Sequence, residues 1–309
     1  MTHLESHAAA RPSDFELARR VIAAAEEHDG RPPVSDQAML AAVQGERALL
    51  LFRTGADDAA VAVGIAGQGE IDLVVRPDAR GRGYGSAALA ELLARTDGSA
   101  LAWAHGENPA AEALLARAGF APVRSLHRMA LDPARLPPRD AQLHALDVPA
   151  GFELRAFDPE RPDDAARWVR ANAAAFAAHP EQGRVTEADF ALMRAEEWFD
   201  PDDLLLLIDE TGEAAGSTWV KTLRGPEVET ELYAVGMRPE YAGRGLGALL
   251  LDATLIRMAQ HRPSRVTLYV DGENERAVRM YERAGFTIDS RSRQWRRAPE
   301  SVPGATMDP

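Results

Sequence analysis

Hydrophobic positions along the chain follow two periods. DFELARRVIAAAEEHDG (14–30) places its apolar residues three and four apart and stops at a glycine, which predicts a helix. ERALLLFRT (46–54), AAVAVGIAG (59–67) and IDLVVRP (71–77) are short apolar or alternating runs bounded by turn residues, which predicts strands. SAALAELLART (86–96) returns to helical spacing, SALAWAH (99–105) reads as a strand, and NPAAEALLARAG (108–119) as a helix closed by glycine. The same grammar recurs later. DAARWVRANAAAFAA (164–178) predicts a helix, and DLLLLIDE (203–210), GSTWVKTL (216–223) and TELYAVGMRP (230–239) predict strands. ALLLDATLIRMAQH (248–261) is helical, RVTLYV (265–270) a strand, and NERAVRMYERAG (274–285) a helix. Antiparallel hairpins come first and strand–helix–strand units follow, so each half is α/β (α+β) with a mixed sheet flanked by helices.

The recurrence is also one of letters. LVVRPDARGRGYGSAALAELLA (73–94) parallels VGMRPEYAGRGLGALLLDATLI (235–256), and GENPAAEALLARAGF (106–120) parallels GENERAVRMYERAGF (272–286). Two blocks in the same order imply two copies of one fold, and the period is far too long for a solenoid. The expected division is a first domain over 1–135, a proline-rich linker over 136–150, a second domain over 151–298 and a disordered tail over 299–309. At 309 residues each copy is long enough to bury a core.

Composition narrows the function. Lys and Arg total 35 against 48 Asp and Glu, a net charge of -13 that repels a phosphate backbone and disfavours nucleic-acid binding. With no cysteine, disulfides, thiolate metal sites and acyl-cysteine intermediates are excluded. The eight histidines are scattered without ligand spacing, so no metal is expected. No apolar run reaches the ~18 residues of a membrane span, and the start of the chain lacks a signal-peptide pattern. The expectation is a cytoplasmic protein with no membrane partner, and two complete domains make a plausible monomer. Of the 35 basic residues only Lys221 is lysine. It is either a survivor of an arginine-rich composition or a place that requires a compact ammonium.

The strongest chemical signal is a glycine-rich turn between a strand and a helix. It reads Arg80-Gly81-Arg82-Gly83-Tyr84-Gly85-Ser86 in the first copy and Ala242-Gly243-Arg244-Gly245-Leu246-Gly247-Ala248 in the second. Glycines let the backbone approach closely, and the helix start presents free N–H groups and a positive dipole end. Such a turn cradles a pyrophosphate, with Arg82 or Arg244 adding charge. No Lys-Ser/Thr follows, so it is not a P-loop, and its mid-domain position does not suit a dinucleotide fold. Alone it is also compatible with a simple tight turn. Downstream lies a second block, Asn274, Ala277, Tyr281, Gly285 and Phe286.

Together these blocks resemble the GNAT family of acyl-CoA-dependent N-acetyltransferases, over both halves and nearly the whole chain. The resemblance implies acetyl-CoA as co-substrate. It assigns the pantetheine arm to the strand segments Val235-Gly236-Met237 and Leu73-Val74-Val75, and the pyrophosphate to the two turns. It also assigns acetyl-CoA contacts to Asn274, Glu275, Arg276, Ala277, Val278 and Arg279. Tyr281 matches the family's tyrosine near the CoA sulfur, whereas Asn108 plus seven is Leu115, which cannot protonate a thiolate. The second domain is therefore expected to be catalytic and the first a degenerate copy that still binds CoA or serves as scaffold. At the family's Arg or Gln position the first copy keeps Arg80 and the second carries Ala242, so the second cradle is expected to be mostly backbone.

AAFAAHPEQGRVT (174–186), STWVKTL (217–223), TELYAVGMRP and LYVDGENERAVRMYERAGF (268–286) resemble more narrowly a tandem-domain set within that family, whose acceptor is the amine of a cysteinyl-glucosaminyl-inositol. This implies acceptor contacts at Glu181, Lys221, Glu231 and Tyr269, and at Asp36, which stands where the set carries glutamate. The chemistry gives Glu231 a second role. An amine attacks a thioester only when neutral, and a carboxylate at the mouth of the strands can take its proton through water. On pattern alone Glu231 reads equally as a solvated strand-end charge, and Tyr281 as a core aromatic. The Gly236 and Met237 N–H groups are candidates to polarise the thioester carbonyl. Other readings are an acetyltransferase for another small amine or a protein N-terminus, a non-catalytic CoA-binding module, or a tRNA-dependent aminoacyl transferase, which the net charge disfavours.

Overall fold

The computed structural model describes residues 4–55, 59–96, 98–177 and 182–298, with Asp36 and Gln182 described in backbone only. The chain forms two compact units. The first runs to His127 and takes in Asp271–Glu273 and the chain from Ser290, while the second holds Arg128–Val270 and Asn274–Asp289.

The first unit contains β1 (Glu5–Ala8), α1 (Pro12–Asp29), α2 (Asp36–Val43), β2 (Ala48–Arg53), β3 (Ala60–Gly67) and β4 (Glu70–Val75). It continues with α3 (Tyr84–Leu93), β5 (Ala100–Ala104), α4 (Pro109–Arg117) and the start of β6 (Ala121–Leu131). Strands β1 to β4 pair antiparallel in sequence order, and β5 joins β4 in parallel. β2 is apolar from Ala48 to Phe52, and Leu49–Phe52 are buried because both faces are covered. Leu50 and Phe52 face a core with α3 and α4, and Leu49 and Leu51 face one with α1 and α2. α1 ends at Gly30, whose φ of +69° suits a left-handed cap.

The second unit contains β7 (Phe152–Ala156), α5 (Asp164–Ala175), α6 (Glu187–Met193), β8 (Leu204–Asp209), β9 (Ala214–Arg224) and β10 (Val228–Met237). It continues with α7 (Leu246–His261), β11 (Arg265–Asp271), α8 (Glu275–Arg283) and the start of β12 (Thr287–Arg297). β7 to β10 pair antiparallel in order, and β11 joins β10 in parallel. One face packs Val220, Leu232, Val266 and Leu268 against α7 and α8. The other packs Trp219 against Trp168 of α5 and Phe190 of α6.

The expected division at 135–150 treats each half as contiguous. In the structure Arg293–Arg297 of β12 pair antiparallel with β5, which is why the chain from Ser290 belongs to the first unit. Met129 and Leu131, at the end of β6, enter the core of the second. Over 136–150 the chain makes a short 3-10 turn, Leu143–Ala145. The expected tail, 299–309, lies outside the described residues.

Candidate active site

The site lies beside a fault in one strand. β10 and β9 keep regular antiparallel register until Leu232 opposes Val220, after which Ala234 opposes Trp219. Tyr233 is therefore an extra residue, a β-bulge, which bends its strand and breaks local pairing. On the other side, parallel pairing of β10 with β11 runs from Glu229–Arg265 to Leu232–Leu268 and stops there. Past the bulge the two strands part, leaving Ala234–Met237 with an edge toward β11 that has no strand partner. Arg238 N–H donates to Ala215 O on the β9 side. Strand alternation then turns the Gly236 N–H toward β9 and those of Val235 and Met237 toward the open edge. Of the two amides expected to polarise a carbonyl, Met237 faces the opening and Gly236 does not. Gly236 has a packing reason instead, since a Cβ there would lie 2.8 Å from Ala175 Cβ and from Phe176 Cε2.

The glycine-rich turn follows at the open end. A 3-10 turn, Pro239–Tyr241, leads into Ala242, and Gly243 and Gly245 adopt φ of +81° and +82°. A Cβ at either would meet nothing within 4 Å, so backbone conformation, not space, calls for glycine. Gly245 begins α7 with no side-chain cap, so the first-turn amides of Leu246 and Gly247 are presented outward. The Arg244 guanidinium stands 5.2 Å over the Tyr241 ring. Tyr241 O–H donates to Asp209 Oδ2 at 2.6 Å and anchors the turn to the end of β8. Burial pushes the Asp209 carboxyl up, but hydrogen bonds from Thr211, Tyr241 and backbone amides outweigh it and hold the pKa at about 2. The turn and helix start thus form a fixed concentration of N–H donors suited to a pyrophosphate, and the parted strands suit the arm of acetyl-CoA.

Side chains sort by face. Glu231 pairs in register with Lys221 on β9 and with Thr267 on β11, and its charge is among the causes, after burial, that raise the pKa of Tyr269. Directly opposed residues share a face. Glu231, Lys221 and Tyr269 are thereby brought together on the α5–α6 face. Tyr281 on α8 belongs to the core of the opposite face. It is 5% exposed, packs edge-on against Phe286 at 6.0 Å, and burial raises its pKa, so the phenol stays protonated. Asn274 caps α8 by accepting from Ala277 N–H at 3.1 Å, and Asn108 caps α4 by accepting from Ala111 N–H. The Asn-x-x-Ala motif is therefore a helix cap in both copies. Glu275 and Arg279 pair along the exposed side of α8 at 2.8 Å, next to exposed Arg276, while Ala277 and Val278 turn into the core. Glu181 lies outside the described residues, and Asp36 is described only as the first residue of α2. Among the described residues no cluster of three His, Asp or Glu could hold a metal ion.

The first unit shows the same plan rebuilt. Its parallel pairing ends at Ile71–Ala102, so Leu73, Val74 and Val75 also lie past a parting, but β4 keeps unbroken register with β3. Gly81 and Gly83 hold φ of +74° and +85°, and Tyr84, Gly85 and Ser86 open α3 without a side-chain cap. Arg80 makes a bidentate pair with Asp29, 2.7 Å on each arm. Glu70 occupies the register place of Glu231, for it opposes Leu101 as Glu231 opposes Thr267. There it meets Arg47, 5% exposed, which bonds Glu70 at 3.4 Å and Asp72 at 2.6 Å. Gly67 stands in the place of Lys221, where a Cβ would lie 3.1 Å from Arg47 Cα. Leu115 replaces Tyr281 and is buried.

A glycine inside β10, Gly236, signals a β-bulge, a close ligand approach or a packing constraint; the bulge lies three residues earlier, at Tyr233, and Gly236 has the packing constraint. Sequence reasoning missed Arg47 and the rings around Lys221. The bulge had a signal: 161 residues separate Glu70 from Glu231, but 162 separate Gly83 from Gly245.

Parted parallel strands ahead of an uncapped, glycine-led helix define an acyl-CoA-dependent transferase fold, and a sequence model of the acetyltransferase (GNAT) family matches residues 45–120 and 168–286. The chain belongs to that family. Its curated relatives include the mycothiol acetyltransferase of Arthrobacter sp. (strain FB24), 38% identical over 89% of this chain and 90% of the relative. The mycothiol acetyltransferase of Clavibacter sepedonicus is 40% identical over 87% and 88%. Among solved structures, a tandem GNAT protein from the clavulanic acid biosynthesis pathway superposes with a TM-score of 0.69 at 21% identity, covering 96% of this chain and 98% of its own. A GCN5-related N-acetyltransferase from Sphaerobacter thermophilus gives 0.67 at 24%, covering 96% and 95%. These two share the fold.

Proposed function

We propose that this enzyme transfers acetyl from acetyl-CoA to the cysteinyl amine of a cysteinyl-glucosaminyl-inositol, the reaction that gives mycothiol and CoA. The observation that carries this reading is the 38–40% identity to mycothiol acetyltransferases over nearly the full length of both chains. The second unit is the catalytic one. Acetyl-CoA supplies the acetyl group as a thioester. Val235 and Met237 hold its arm through backbone groups at the open edge, and the Met237 N–H stabilises the charge that develops on the carbonyl oxygen. Residues Ala242–Ala248 hold the pyrophosphate, with Asn274–Arg279 alongside. On the other face Glu231 takes the proton from the acceptor ammonium, and Lys221 and Tyr269 hold the acceptor; Glu181 and Asp36 are acceptor contacts on the family resemblance alone. Tyr281, kept protonated by burial, donates to the departing thiolate. With no cysteine in the chain to carry the acetyl group, transfer is direct within a ternary complex.

The first unit is non-catalytic: Arg47 engages Glu70, which stands in the place of the base, and Leu115 stands in the place of the acid. Leu73–Val75 and Gly81–Ser86 keep the means to bind acetyl-CoA. No described helix is long and apolar enough to cross a membrane. We place the enzyme in the cytoplasm as a monomer, with no nucleic-acid partner. The test is thioester consumption with this acceptor and acetyl-CoA. Turnover is expected. Acetyl-CoA binding without turnover would overturn the acceptor.

A further inference from the structure

The lone lysine sits among aromatic rings. Lys221 Nζ stands 5.1 Å from the Trp198 ring centroid and 5.9 Å from that of Tyr233, both within cation–π reach. The rings brace one another. Trp198 and Tyr233 centroids are 5.2 Å apart, and each lies within 5.4 Å of Trp219. Trp219, 1% exposed, is wedged edge-on against Trp168, Phe190 and Phe199. Among the described residues no carboxylate stands within ion-pair distance of Lys221. The ammonium is therefore held by ring faces, which take up charge but satisfy no N–H donor in full. Arginines of the same unit, such as Arg155 and Arg257, spend their donors on buried carboxylates.

We propose that Trp198 and Tyr233 are positioning residues that hold the Lys221 ammonium with its N–H donors directed to uncharged oxygens of the acceptor, hydroxyl or carbonyl. The inference rests on the proposed reaction. Two observations converge on it. Tyr233 is the bulge residue, and it follows directly on the last paired residue of β10, so the extra residue delivers a ring to Lys221 where the strands part. In the first unit, where Gly67 takes the place of Lys221, β4 pairs with β3 without a bulge. Composition agrees, because a chain with 34 arginines retains its single lysine here. A planar guanidinium would lie flat on Trp198 and point its donors along the ring plane, so arginine is no substitute.

The single lysine makes the test clean. Biosynthetic labelling with [ε-13C]lysine gives one NMR signal. In the wild type it should be displaced upfield by the rings, it should relax toward the free-lysine position in Trp198→Leu, and it should hold most of its displacement in Trp198→Phe. In kinetics, Trp198→Leu should raise KM for the acceptor about tenfold, the weight of one partly desolvated cation–π contact. KM for acetyl-CoA should stay unchanged, and Trp198→Phe should recover most of the loss. Tyr233→Phe, which keeps the ring, should behave as wild type in the NMR signal and guards against a Trp198→Leu that fails to fold. An undisplaced wild-type signal overturns the contact. A displaced signal with acceptor KM unmoved in Trp198→Leu, or KM rising equally for both substrates, overturns the positioning role. A wild type that does not acetylate this acceptor overturns the proposed function, and the signal alone then judges the contact.

Discussion

Replacing Tyr281 by phenylalanine removes one oxygen from a buried ring. The ring is 5% exposed and packed on Phe286, and phenylalanine keeps those contacts. Among the described residues the hydroxyl has no hydrogen-bond partner, so the fold should lose less than about 1 kcal/mol. If the O–H protonates the departing thiolate, its loss should lower kcat by about 10²–10⁴. At 1.36 kcal/mol per decade that is about 2.7–5.4 kcal/mol of barrier, well above the stability change. Burial holds the phenol above its ordinary 10.0, so it does not titrate in the working range. Tyr281→Phe should therefore scale the whole pH–rate profile down without moving its limbs. Rates should be followed by the ultraviolet absorbance of the thioester, because the acceptor carries its own thiol and would react with thiol reagents. Tm by circular dichroism separates folding from catalysis. A kcat within about threefold of wild type, at unchanged Tm, would refute the acid assignment.

Glu231→Gln should lower kcat by about 10²–10⁴ with acetyl-CoA binding intact, and near-normal kcat would remove it as the base. Gly236→Ala forces a methyl to within 2.8 Å of Ala175 Cβ and Phe176 Cε2, so it should cost about 1–3 kcal/mol in chemical denaturation and raise KM for acetyl-CoA; an unchanged midpoint contradicts this. Arg47→Ala leaves the buried carboxylate of Asp72 without its 2.6 Å partner and should destabilise the protein by about 3–5 kcal/mol in urea while sparing kcat of the folded enzyme. Asp209 has a folded pKa of about 2 against an ordinary 3.8, so its charge adds stability above 3.8 that is lost as pH falls through about 2. The stability gap between wild type and Asp209→Asn should be full at neutral pH and close near pH 2, and a gap that does not change with pH would mean the charge contributes nothing.

What could be read from the sequence was whatever depends on neighbours along the chain. Gly30, Gly243 and Gly245 take the left-handed conformations their context demanded, and the helix over 14–30 and the strands over 46–77 stand where periodicity put them. Asn274 and Tyr281 were singled out only through the family resemblance; the cap that Asn274 makes and the buried seat of Tyr281 are read from the structure. β6 and β12 were not. Their sequences, APVRSLHRMAL and TIDSRSRQWRR, carry charge at alternate or adjacent positions, and only Met129, Leu131 and Trp295 of them are buried apolar residues. Such strands are specified by the edges they join, which lie far off in sequence. The same holds for Arg47, whose partners Glu70 and Asp72 are reached only once β3 turns back, and for Trp198, which meets Lys221 across a loop and a hairpin.

The bulge at Tyr233 bears on how the two halves can change over evolutionary time. Substitution can trade Leu115 for tyrosine or empty the place of Arg47, and either is a single step. No substitution supplies the extra residue that sets β10 apart from β4. Giving β4 the same bulge would require an insertion in a central strand, which shifts every later side chain to the opposite face unless the insertion lands at one position. Point mutation can thus wear the first copy down, but it has no stepwise path back. On the proposed assignment of catalysis to the second unit, the two copies are held apart by a difference of length as well as of chemistry.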